Sequence, residues 1–212
     1  MGNPIEEPGT CPAISGMSQP PGRDVQPLDN SSDRYGTIAV TFHWIMAILV
    51  IGLLCLGLYM VQLPDAGFDK RKIVLIIYHK EYGIVVLLLV LARIAWRIRG
   101  PLPRLEAAVP DWQKLAARLV HLWLYAFMIA LPITGWLMSS AAALPVPFFG
   151  LGYLPDLLPR DDSLFRAFIA IHKWLAYALI GFLGLHIGAA VWHHVVDRDD
   201  TLRRMLPPPV RS

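Results

Sequence analysis

Charge is the first thing this chain is short of. Lys, Arg, Asp and Glu make up 17% of its 212 residues, against about 25% in an ordinary soluble domain. With a mean hydropathy of +0.48, too little polar surface is left for a water-soluble fold. Cysteine is nearly absent. Cys11 and Cys55 are the only two, so no disulfide framework is signalled, and no CxxC or CxxCH motif offers thiols for covalent attachment of a cofactor. The short, alternating apolar segments of a membrane β-barrel are missing, and no internal repeat is visible. A net charge of +3 and an isoelectric point of about 9.0 do not signal nucleic-acid binding, because the basic residues gather at the ends of apolar segments.

Residues 1–36 lack the apolar core of a signal peptide and are rich in Pro, Gly, Ser and acids. Met1-Gly2 does not open a myristoylation motif. The expectation is a disordered tail over 1–36, a single helical domain over 37–206 and a C-terminal tail over 207–212. The first apolar segment then serves as an uncleaved anchor.

What is present is apolar sequence in blocks rather than stripes. Residues 38–61, 73–96, 115–142 and 165–196 each provide the ~20 residues a bilayer requires. In lipid each segment must satisfy its own backbone polar groups, so the blocks are predicted to be helices. The fold class is therefore an all-α membrane protein, a four-helix up-down bundle. Lys and Arg mark the cytoplasmic side. With both termini inside, ten basic residues between Arg34 and Arg211 flank the inner ends, against Lys70, Arg71, Lys72, Arg160 and Arg166 outside. The outer loop 144–164, rich in Pro, Gly and aromatics, is expected to pack on the outer mouth.

Histidines carry the chemistry. His172 and His186 lie fourteen residues apart in the fourth block. Fourteen helical residues advance roughly 21 Å and close nearly four turns, so both imidazoles face one way at two depths. Counting from the block ends puts His79 and His172 at an outer level, and His43, His121 and His186 at an inner level. His193 and His194 fall near the inner surface. A lone membrane histidine commonly bonds a neighbouring helix. Two levels, each with candidates on at least two helices, instead form the layout of a metal cofactor between helices. Zinc requires about four converging ligands, and neither level offers a thiolate or carboxylate. Opposed imidazoles suit the axial positions of a haem. With both positions filled, iron does not readily bind O₂, which favours electron transfer over oxygen activation.

Fourteen residues outward from His43 and His121 lie Gly57 and Gly135. These glycines offer flat walls to an outer macrocycle, or serve ordinary helix packing. The same count inward from His79 reaches Arg93, which suits a propionate of the inner haem or snorkels to the surface beside Arg97 and Arg99. Pro132 should kink the third helix, with Thr134 near enough to bond a freed carbonyl.

The segments AVTFHWIMA, YHKEYG, VHLWLYAFMIALPITGW and IHKWLAYALIGFLGLHIGAAVWHHVVDRDDTLRRMLP resemble the bacterial cytochrome b561 family, four-helix di-haem membrane cytochromes, over roughly residues 35–206. The resemblance implies two haem b groups, one held by His79 and His172, the other by His43 and His186, with His121 outside the ligand set. It implies a multi-pass protein of the bacterial inner membrane. Some members resemble superoxide oxidases that pass electrons from superoxide to ubiquinone, and the exit HHVVDRDDTLRRMLP is similar to theirs. The alternative is a membrane-anchor cytochrome b subunit, relaying electrons between a periplasmic redox partner and the quinone pool. On the first reading, Lys80 and Lys173 attract superoxide. His193 and His194 bond a quinone oxygen or deliver its proton, and Trp123 and Trp192 wall that pocket or form an interfacial belt.

Overall fold

The computed structural model describes residues 36–64, 70–99 and 110–206. Of the tails expected at 1–36 and 207–212, all but Gly36 lie outside the described residues. Four long helices dominate: α1 (Thr37–Met60), α2 (Lys70–Arg99), α3 (Asp111–Ala141) and α4 (Asp162–Trp192). Their 24 to 31 residues give lengths of about 36 to 46 Å. All four are long and apolar enough to cross a membrane. Three of them begin or end up to a turn beyond the apolar blocks. Hydropathy does not register where a helix stops; caps do. At α4, the Asp161 carboxylate accepts hydrogen bonds from the amides of Ser163 (2.8 Å) and Leu164 (3.0 Å), two of the donors that a helix start leaves unpaired.

Consecutive helices are neighbours: α1 packs on α2, α2 on α3, and α3 most extensively on α4. Apart from α3, no long helix makes more than scattered backbone approaches to α4. α4 is thus fastened along one side, and its backbone stands off α1 and α2 across a cleft that side chains from all three helices cross.

The core is small and central. Val50, Val86, Leu124, Phe127, Leu131 and Leu179 form its buried cluster. Val50 stands seven residues from both His43 and Gly57, Val86 seven from His79 and Arg93, and Leu179 seven from His172 and His186. Seven residues close nearly two turns, so these three side chains form an apolar floor midway between the histidine levels. Phe127 fills its centre, stacked on Trp123 (centroids 5.7 Å apart) and tilted against Phe182 (5.4 Å).

The loop between α3 and α4 packs on the bundle end, as its composition suggested. It folds as a two-stranded antiparallel hairpin, β1 (Val146–Pro147) and β2 (Tyr153–Leu154). Three consecutive α2 residues clip it down. Lys80 Nζ donates to the Pro145 carbonyl (3.3 Å), buried Glu81 Oε1 accepts from the Phe149 amide (2.8 Å), and the Tyr82 ring meets the Phe149 ring edge-on (5.5 Å). On α3, Trp136 Nε1 donates to the Pro155 carbonyl (3.0 Å) and Ser140 Oγ accepts from the Leu157 amide (3.1 Å). At the opposite end, Trp44 Nε1 donates to the Met205 carbonyl (2.7 Å), drawing the segment after α4 back over α1.

Phe127→Ala should cost about 3 kcal/mol, because it opens a cavity in a core that cannot collapse around it. The expected readout is a lower unfolding temperature in detergent with unchanged helical circular dichroism.

Candidate functional site

Two histidine pairs bridge the cleft beside α4. Toward the hairpin end, the rings of His79 on α2 and His172 on α4 have centroids 6.3 Å apart and planes inclined at 72°. Toward the terminal end, His43 on α1 and His186 on α4 lie 6.1 Å apart, inclined at 65°. One metal bound to two imidazole nitrogens at about 2 Å each puts facing ring centroids roughly 6 Å apart. Both pairs meet that spacing. The donor set, two imidazoles per level with no thiolate, is that of a bis-histidine haem. The residues present therefore fit the group.

The third inner candidate differs. The His121 ring lies 5.1 Å from that of His186, too close for one metal to sit between facing rings. His121 Nδ1 lies 2.7 Å from the Ala117 carbonyl of its own helix. The short approach crowds the terminal-end level without completing a third pair.

Both glycines lie against the hairpin-end pair. A Cβ at Gly57 would lie 3.4 Å from His79 Cε1, and one at Gly135 the same distance from His172 Cε1, ordinary contact distances. Each glycine, on a helix with no histidine at this level, backs one imidazole on the next helix. Thr134 also departs from expectation. Its hydroxyl donates to the Leu131 carbonyl (2.9 Å), one turn back on its own helix, and contacts His172 Nδ1 at 3.0 Å. The carbonyl freed by Pro132 would be that of Met128, so Thr134 is engaged elsewhere. The counterpart nitrogen, His79 Nδ1, is buried and finds no hydrogen-bond partner among the described residues.

At the terminal end, Arg93 Nε donates to the Tyr125 hydroxyl (3.0 Å), and the Arg97 guanidinium lies 5.7 Å from the centre of the same ring. Arg93 is thereby anchored near the depth of His43 and His186. Tyr125 carried no sequence signal. Trp44 adjoins His43 edge-on at 5.5 Å.

Beyond α4 the chain makes one π-helical turn, His193–Asp197, closed by Arg198 in the left-handed region at φ 53°. Such turns are frequent at functional sites. Here the turn brings His193 Nδ1 to 2.7 Å from Asp199 Oδ2 and 3.1 Å from Asp197 Oδ2. The Asp199 amide donates to the His193 carbonyl (3.1 Å), and the Thr201 amide to Asp199 Oδ1 (2.9 Å). The turn makes Asp197 and Asp199 the acceptors of His193. His194 is exposed and stands outside this cluster. Trp123 belongs to the central aromatic stack, and Trp192 is exposed.

A membrane four-helix bundle with two bis-imidazole levels belongs to the b-type cytochromes. The profile of the prokaryotic cytochrome b561 family matches residues 34–208, and the chain belongs to that family. It is 36% identical to cytochrome b561 homolog 2 of Escherichia coli (strain K12) over 84% of this chain and 93% of that protein. It is 29% identical to cytochrome b561 homolog 1 of the same organism, over 82% and 98%. A Yersinia pestis protein named "Probable superoxide oxidase CybB" is 31% identical over 82% of this chain and 96% of its own length. The chain is thus a haem b-binding electron carrier, a multi-pass protein of the bacterial inner membrane.

Asp199 yields a pH prediction. Burial works to raise its pKa but is outweighed by hydrogen bonds from the Thr201 amide and hydroxyl and from the His193 ring, which hold the carboxyl below its ordinary value. A depressed carboxylate stabilises the fold above its unfolded pKa of about 4 and loses that contribution as pH falls below it. Protection of the Thr201 amide, its exchange rate taken relative to that of an unstructured amide at the same pH, should be high at pH 6 and fall at pH 3. In Asp199→Asn the difference should shrink, with faster exchange already at pH 6.

Proposed function

We propose that His79 and His172 hold one haem b, that His43 and His186 hold a second, and that the chain carries electrons from superoxide outside the membrane to ubiquinone at its inner face. One observation carries the reading: two imidazole pairs, 6.3 and 6.1 Å between centroids, at two depths of one cleft. The haems supply one-electron relays when bound. With two imidazoles offered to each iron, O₂ would find no open position there, and electron passage would be the chemistry.

The basic flanks support an orientation with both termini inside, so the hairpin end faces the periplasm. Two superoxide anions each give up one electron and leave as O₂. Ubiquinone takes the two electrons, with two protons from the inner side, to give ubiquinol. Lys173, next to His172, is exposed at the outer mouth and is the cation suited to attract the anion. Lys80 is instead tied to the Pro145 carbonyl and acts through the loop it fastens. At the inner end, Asp199 and Asp197 occupy His193 Nδ1. This leaves Nε2 as the atom that bonds a quinone oxygen and hands it a proton. Arg93, held by Tyr125, is placed to pair with a propionate of the inner haem.

The purified protein should be red, with b-type bands and two haems per chain. His79→Ala or His172→Ala should each remove one haem and leave the other. Mixed with superoxide and ubiquinone-1 in detergent, the isolated chain should form ubiquinol. His193→Ala should slow that step several-fold with both haems retained. A red protein inert toward superoxide would instead support the membrane-anchor relay that needs a partner subunit. A colourless one would end both readings.

Lys173→Glu should lower the superoxide rate several-fold at low ionic strength, and the gap should narrow with added salt as screening removes the attraction. An unchanged low-salt rate would dismiss electrostatic attraction at this residue.

A further inference from the structure

The two imidazoles of the hairpin-end pair are held differently. His172 Nδ1 lies 3.0 Å from Thr134 Oγ1, whereas His79 Nδ1 is buried with no partner among the described residues. The direction of the Thr134 contact follows from its second bond. A threonine hydroxyl has one proton, and here it goes to the Leu131 carbonyl at 2.9 Å, an atom that can only accept. Toward His172 the hydroxyl therefore accepts, and the same Leu131 carbonyl is itself a hydrogen-bond partner of the His172 ring; both are acceptors there, so Nδ1 carries the ring proton. A neutral imidazole protonated at Nδ1 has its free lone pair at Nε2, and Nε2 is then the atom offered to a metal.

From this geometry we infer that Thr134 is a positioning residue. It locks His172 in the Nδ1–H tautomer, fixes the ring's rotation, and makes this imidazole the more electron-donating of the pair. The inference rests on the bis-histidine haem reading and adds to it a difference between two ligands of one metal. Three neighbouring α3 residues act together. Leu131 takes the hydroxyl proton and also accepts from the ring, Thr134 Oγ1 accepts from the same ring nitrogen, and Gly135 lies against the ring edge, where a Cβ would stand 3.4 Å from Cε1. Hydrogen bonds to a ligand histidine raise its basicity and fix its orientation, and losing one commonly weakens a metal site 10- to 100-fold. A more basic imidazole favours the oxidised, more positively charged iron. Losing the bond should therefore make the hairpin-end haem easier to reduce.

Thr134→Val and Thr134→Ser test this on the holoprotein in detergent. Valine keeps the shape and removes the hydroxyl; serine keeps the hydroxyl. Haem content, a spectroelectrochemical titration and the low-temperature electron paramagnetic resonance signals of the oxidised protein are read together. In Thr134→Val, the midpoint of one haem should move upward by a tenfold change in its reduction equilibrium, about 59 mV for a one-electron couple. Its resonance signal should shift as the ring loosens, while the other haem is unmoved. Serine should restore both readings. Selective loss of one haem in the valine variant, rescued by serine, equally supports the assignment. A valine variant with both haems and unshifted midpoints would overturn it, as would a serine variant as altered as the valine one. Failure of the haem reading is separable, since unmutated protein would then hold no haem to titrate.

Discussion

A nitrogen donor sunk in lipid has to be given something to bind, and the rest of this molecule is arranged around that requirement. The backbone answers its own need by becoming helix, because within a bilayer no water is available to pair amides and carbonyls. Helix formation does not by itself pair the imidazoles. Four of them meet in pairs across the cleft beside α4, at 6.1 and 6.3 Å between centroids. The spacing lets one metal satisfy both rings of a pair. α4 contributes to each level, and it can do so because fourteen residues return nearly to the same helical face. It binds firmly to α3 and stands away from α1 and α2, so the cleft follows from which helices pack.

The same register organises the interior between the levels. Val50, Val86 and Leu179 occupy the midpoints of the His43–Gly57, His79–Arg93 and His172–His186 intervals. Phe127 closes the layer among them. An apolar layer separates the two histidine levels. Electrons can cross such a floor, whereas protons have no carriers in it. The division suits a protein that receives electrons at one end and, on the proposed reading, combines them with protons at the other.

The two mouths are built from unlike materials. The hairpin end is covered by a loop fastened through Lys80, Glu81 and Tyr82, three successive residues that directly follow His79. The terminal end is shaped by a π-helical turn whose geometry aims two aspartates at His193, and by Trp44 holding the Met205 carbonyl. Here the chain leaves the apolar region, and polar side chains become affordable as hydrogen-bonding partners. Asp199 can serve His193 only because the turn places residues six apart within reach, a relation no regular α-helix provides.

Much of this was legible in the sequence. Four apolar blocks sufficed for four helices, since bilayer thickness and backbone hydrogen bonding leave no other fold for such segments. Histidine depth followed from counting, since rise per residue is constant. The helix ends, Thr134, Tyr125 and the π-turn were not legible. Each depends on caps or on contacts between residues on different helices, and hydropathy carries no information about either. The case of His121 marks the boundary most sharply. Depth alone leaves it level with His43 and His186, and the bundle alone brings it to 5.1 Å from His186, inside the distance a shared metal needs. Sequence sets how far along the membrane normal each side chain lies, because that is a property of one helix. Which nitrogens face each other, and at what separation, is a property of how helices pack, and only the tertiary structure decided it.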